Sequence, residues 1–79
     1  MSPTVLRYRG FRLFFFSREE SRRHIHATCA DGEAKFWLEP LIALATSTGL
    51  SRAQLRDLQL VVEENADDIN CAWDKHFSG

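Results

Sequence analysis

No apolar run in this sequence approaches the roughly 20 residues that a membrane-spanning helix requires, so none is expected. The opening MSPTVLRYRG has neither the apolar core nor the small-residue cleavage site of a secretory signal. The two cysteines, Cys29 and Cys71, are too few for a disulfide framework, which leaves a reducing cytoplasm as the default. Neither forms a Cys-x-x-Cys pair, which argues against a zinc ribbon. No glycine-rich phosphate loop, dinucleotide fingerprint or nucleophile elbow is present among only four glycines, so no large cofactor is expected. The net charge of −1 is not that of a strongly basic protein, and 44% hydrophobic residues is too many for a disordered tail.

What remains is a chain of 79 residues, read as a single domain over 1–79. A domain this small buries only about 60% of its unfolded surface, which leaves association with a second copy open. Charge is balanced overall but not locally. Arg7, Arg9, Arg12, Arg18, Arg22 and Arg23 crowd the first part of the chain, while Asp57, Glu63, Glu64, Asp67, Asp68 and Asp74 gather near its end. Such a split reads as internal complementarity, or as a basic region for a polyanion or acidic partner.

His24 to Glu39 is the most patterned stretch. Asp31-Gly32 suits a two-residue hairpin turn. That turn pairs Cys29 with Ala34, Ala27 with Phe36 and Ile25 with Leu38 on an apolar face. On the other face it pairs Thr28 with Lys35, His26 with Trp37 and His24 with Glu39. A one-residue slip would mix the two faces. A first hairpin is expected over 5–17 with Arg9-Gly10 as its turn. It sets Tyr8 opposite Phe11, Leu6 opposite Leu13 and Arg7 opposite Arg12, two like charges that must splay apart or share an anion. Residues 17–23, SREESRR, read as a mobile polar connector, and Pro40 ends the second hairpin. Leu41 to Thr48 is ambiguous between an edge strand and a helical turn.

The last third carries the clearest local signal. Ser51 is a good N-cap, Gln54 completes a capping box, and Leu50 with Leu55 form a hydrophobic staple. Leu55, Leu58, Val62, Ala66, Ile69, Trp73 and Phe77 then form one apolar stripe. The helix could run over 52–77, about 26 residues or roughly 39 Å. That is long for so small a domain, so it either bends near Asn65 to Asn70 or overhangs toward another subunit. The fold class expected is therefore α+β: an antiparallel sheet of four to five strands, two β-hairpins included, with one long C-terminal helix on one face.

FFFS at 14–17, HIH at 24–26, GEAKFWLEP at 32–40, GLS at 49–51 and the late VEEN, AW and HF pairs resemble the bacterial domain of unknown function 4160 family. The resemblance implies a small cytoplasmic α+β protein, often encoded beside a second small protein as in toxin–antitoxin modules. Members commonly carry prolines before the first histidine, where this chain has Arg22 and Arg23.

Three chemistries fit these residues. The first is RNA or single-stranded nucleic-acid binding, with metal-independent RNA cleavage as its extension. His26 would act as base, His24 as acid oriented by Glu39, and Lys35 as phosphate ligand. Trp37 would stack a base, and Arg7, Arg12, Arg22 and Arg23 would meet phosphates. The second is a metal site, since His-x-His sets His24 and His26 on one side of a strand. Glu39 and His76 are further candidate ligands. The third is a non-catalytic, antitoxin-like module that covers a cognate small protein.

Overall fold

The computed structural model describes residues 4–16 and 22–77. Most of the 17–23 connector therefore lies outside the described residues. The chain forms β1 (Thr4–Tyr8), β2 (Phe11–Phe14), β3 (His24–Thr28), β4 (Glu33–Trp37), β5 (Ala43–Thr48), α1 (Arg52–Glu64) and α2 (Ala66–Phe77). The strands form one sheet in chain order, every neighbour antiparallel, so β1 and β5 are its edges. The α+β class holds, and the ambiguous segment at 41–48 supplies the fifth strand. None of the described helices is long and apolar enough to cross a membrane.

The first hairpin has the expected register: Tyr8 faces Phe11, Arg7 faces Arg12 and Leu6 faces Leu13. Arg9 and Gly10 take φ of 45° and 82°, the left-handed pair that matches strand twist in a two-residue turn. Arg12 donates from Nε to Thr4 Oγ1 at 2.6 Å, with its guanidinium carbon 4.5 Å from the Phe14 ring centroid.

The second hairpin departs from expectation by two residues. His24 pairs with Trp37, Ile25 with Phe36, His26 with Lys35, Ala27 with Ala34 and Thr28 with Glu33. The Cys29 N–H donates to the Gly32 carbonyl at 2.9 Å, so Ala30-Asp31 is the turn. The physical reason lies in β5. A Cβ on Gly32 would fall 2.0 Å from the Thr48 carbonyl oxygen and 3.0 Å from Gly49. Gly32 is thus needed for close backbone approach, and its φ is not positive. Because strand side chains alternate with period two, a slip of two preserves both faces while changing every pair.

The inward face carries Phe11, Leu13, Ile25, Ala27, Ala34, Phe36 and Leu38, packed with Phe15 against Leu58, Val62, Ile69 and Trp73 from the helices. Ser51 caps α1 as expected: its Oγ accepts from the Gln54 N–H at 3.1 Å, and its own N–H donates to Gln54 Oε1 at 2.9 Å. Gln54 Nε2 also donates to Asp31 Oδ2 at 3.1 Å, tying the hairpin turn to the helix start. The single long helix does not form. At Asn65 the backbone leaves helical geometry (φ −110°, ψ 17°), and both the backbone N–H and Nδ2 donate to the Val61 carbonyl, at 3.1 and 2.8 Å. A straight helix of roughly 39 Å would overrun a fold whose longest extent is 35 Å. The second helix has its own charge pattern, with Asp67 and Asp68 in its first turn and Lys75 and His76 in its last. These signs suit the two ends of its dipole.

Gly32→Ala therefore costs more stability than Gly10→Ala. The first drives a methyl into backbone, a loss of about 3 kcal/mol. The second meets no atom within 4 Å and only forces a side chain to adopt positive φ, about 1–2 kcal/mol. Urea midpoints of the two variants check this ordering. Equal losses would mean that the approach of Gly32 to Thr48 does not hold β4 and β5 together.

Candidate functional site

The helices cover one face of the sheet, and the other carries a groove. It has a volume of about 250 Å³ and is lined by Phe14, Phe16, His26, Thr28, Glu33 and Lys35, with Thr46 and Thr48 of β5 on the far side. Strand register builds this surface as two cross-strand rows. One runs Arg12–Thr28–Glu33–Thr48, and the other Phe14–His26–Lys35–Thr46. Phe16 stands 42% exposed at its margin.

His26 is half-buried in the second row. Its ring stacks on Phe14 at a centroid distance of 5.6 Å and takes Phe16 edge-on at 4.5 Å. Lys35 is its cross-strand neighbour, and the Lys35 ammonium lies 4.5 Å from the Trp37 ring centroid. The Arg22 guanidinium carbon lies 4.0 Å from the same centroid, so Trp37 is a cation-bearing ring rather than a bare platform.

His24 lies elsewhere in character. It is 1% exposed, and its ring packs 5.2 Å from His26, 6.0 Å from Trp37 and 5.2 Å from Trp73. Its Nδ1 is 2.6 Å from the Arg22 carbonyl oxygen. A carbonyl only accepts, so Nδ1 carries the hydrogen. The expected pairing of His24 with Glu39 is absent, because the two-residue slip sets Trp37 opposite His24 and carries Glu39 beyond the strand.

Glu39 belongs to a different cluster. Its Oε2 accepts from the Arg23 N–H at 3.2 Å, its Oε1 lies 3.7 Å from Arg23 Nε, and its carbonyl accepts from Arg22 Nε at 2.9 Å. Arg23 continues across to α2. Its Nη1 donates to Asn70 Oδ1 at 3.2 Å and to the Asn70 carbonyl at 3.3 Å, and its Nη2 pairs with Asp74. Arg23 thus fastens the hairpin to the helix instead of facing the groove. Arg7 stays exposed on the edge strand opposite Arg12.

The proposed metal set is not assembled. His76 packs against Phe15 and Phe77, at 5.9 and 4.5 Å between centroids, near a second cavity lined by Thr4, Val5, Ala72 and Lys75. Phe15 belongs to the inward core, so His76 is remote from the groove, and Glu39 is held by Arg23. Among the described residues no group of three or more His, Cys, Asp or Glu is placed to hold a metal ion.

Phe14, Phe16, Thr28, Glu33, Thr46 and Thr48 escaped the sequence reading as site residues. Strand parity could have found Thr28 and Glu33. The two β5 threonines were hidden by the ambiguity of their segment, and Asn70 and Asp74 are 47 and 51 residues from Arg23, without any local signal.

Arg23→Ala lowers stability by about 1–2 kcal/mol, allowing for the half-exposed carboxylates among its partners. Arg22→Ala removes a cation over a ring and an exposed hydrogen bond to the Glu39 carbonyl but no tie to α2, about 0.5–1 kcal/mol. Chemical denaturation of both variants measures the difference, and an equal or smaller loss at Arg23 would remove it from its fastening role.

Comparison with curated proteins found no match, and comparison with solved structures found none either. A family model described as "Domain of unknown function (DUF4160)" matches residues 10–74, which spans β2 to β5, α1 and most of α2. The chain belongs to that family.

Proposed function

We propose that this protein binds single-stranded nucleic acid, RNA foremost, across the helix-free face of its sheet. The observation that carries the reading is the groove itself. The helix-free sheet face combines the exposed Phe16 and the largely buried, edge-on Phe14 with His26, Lys35 and a line of threonines. Aromatic rings stack unpaired bases irrespective of sequence, and cations follow the backbone. Arg12 over Phe14, and Arg22 and Lys35 over Trp37, add positive charge along the margins. A base that stacked on Trp37 would have to displace those cations, so Phe16 is the better platform.

Binding is favoured over cleavage. An acid–base pair needs two groups within reach of the substrate, and His24 is buried with Nδ1 engaged by a carbonyl. The setting proposed is a bacterial cytoplasmic toxin–antitoxin-type pair with a cognate small protein, and its support is the family resemblance of the sequence.

Fluorescence anisotropy with a labelled single-stranded RNA tests the reading. Phe16→Ala should weaken binding about tenfold or more, given a stacking contribution of about 1–3 kcal/mol. Lys35→Ala should flatten the salt dependence by about 0.7 in log–log slope. Failure of the intact protein to bind at moderate salt would end the proposal.

A second reading has an observation of its own, the β5 edge. ALATST at 43–48 carries no charge, and Leu44 within it and Leu41 just before it are 40% and 76% exposed. An uncharged edge strand is a surface onto which another protein chain can pair. Leu44→Lys should then abolish co-sedimentation with the product of the adjacent gene. A chain that sediments alone in its presence would remove this reading.

A further inference from the structure

Resting on the nucleic-acid reading above, we infer that Glu33 seats a guanine base and gives the groove its sequence preference. Among the described residues Glu33 is the one carboxylate lining the groove. It stands between Thr28 and Thr48 in its cross-strand row, with a hydroxyl on either side. Glu33 is exposed, and its carboxylate makes no ion pair or side-chain hydrogen bond among the described residues. The nearest cation on its own strand, Lys35, directs its ammonium toward the Trp37 ring, away from Glu33.

A carboxylate in the middle of a surface for a polyanion repels phosphate. The backbone of a bound strand must therefore pass along the Lys35, Arg22 and Arg12 margins. What meets Glu33 is then a base edge that donates hydrogen bonds. An ionised carboxylate accepts only, through two oxygens side by side. Guanine alone among the four bases offers two adjacent donors on its Watson–Crick edge, N1–H and the N2 amino group. Adenine, cytosine and uracil each set their donor beside an acceptor, which a carboxylate oxygen would repel. The Thr28 and Thr48 hydroxyls, which both donate and accept, can take the O6 and N3 acceptors flanking that pair. Glu33 and Lys35 are one two-residue step apart on β4, about 6.8 Å. That separation suits a base edge at one position and the phosphate of the same strand at the other.

The test is anisotropy with four oligonucleotides identical except at one central position, carrying guanine, inosine, adenine or uracil in a uridine-rich strand. The guanine strand should bind about tenfold tighter than the adenine strand, the factor that about 1.4 kcal/mol of bidentate discrimination gives. Inosine, which keeps N1–H and lacks the N2 amino group, should fall between them. Glu33→Gln places a donor beside the acceptor and should bring the guanine-to-adenine ratio close to one. The ratio is the informative quantity, because loss of a negative charge raises affinity for all four strands alike. An exposed position keeps the variant foldable, which circular dichroism verifies. Measurable binding without guanine preference, or a preference that survives Glu33→Gln, overturns the assignment of Glu33 alone. Absence of binding by every strand overturns the nucleic-acid reading and this inference with it.

Discussion

The contact between Gly32 and the Thr48–Gly49 backbone organises the rest of the molecule. A carbonyl oxygen lies where any Cβ on Gly32 would be, so the start of β4 and the end of β5 meet without a side chain between them. That closeness sets where β4 begins, and with it the pairing of β3. It also brings Gly49, at φ of +82°, against the Asp31 carbonyl and delivers the chain directly into the Ser51 cap of α1. Three junctions, β3 to β4, β4 to β5 and β5 to α1, therefore depend on one position having no side chain. Gln54, bonded to both Ser51 and Asp31, closes the same corner from the helix side.

Much of this fold was legible in the sequence where local chemistry alone decides. Arg9-Gly10, the capping box at Ser51 and Gln54, and the division of the His24–Glu39 stretch into two faces all follow from short-range preference. The hairpin register was not, because its determinant is a third strand. Asp31-Gly32 has the composition of a turn, but tertiary approach of β5 claims the glycine. Side-chain alternation could not detect the error, since a slip of two leaves every residue on its proper face. The helix break was half legible. Asn65 and the acids after it mark a new N-terminal turn, whereas the uninterrupted apolar stripe suggests continuation.

The candidate site shows the same division. Its membership follows from parity, so His26, Lys35 and Trp37 lie on the helix-free side as read. Its pairings depend on register, so Glu39 leaves His24 for Arg23, and a ring takes its place. The outcome is an aromatic column in which Phe15 meets Trp73, Trp73 meets His24, and His24 meets His26. The column passes from the inward core to the groove. His24 thereby becomes a packing group with a satisfied Nδ1, and His26 alone of the pair lines the groove.

Arg22 and Arg23 are successive residues whose side chains leave the backbone in opposite directions, as extended chain requires. One lies over Trp37 beside the groove, while the other grips Asn70 and Asp74 on α2. The peptide unit joining them is itself held on both sides, since the Arg22 carbonyl accepts from His24 Nδ1 and the Arg23 N–H donates to Glu39 Oε2 at 3.2 Å. A single rigid link therefore serves two surfaces that otherwise share little beyond the sheet. In mechanical terms it is a pivot point, with the Arg22 guanidinium on the groove side and the anchor of the C-terminal helix on the other.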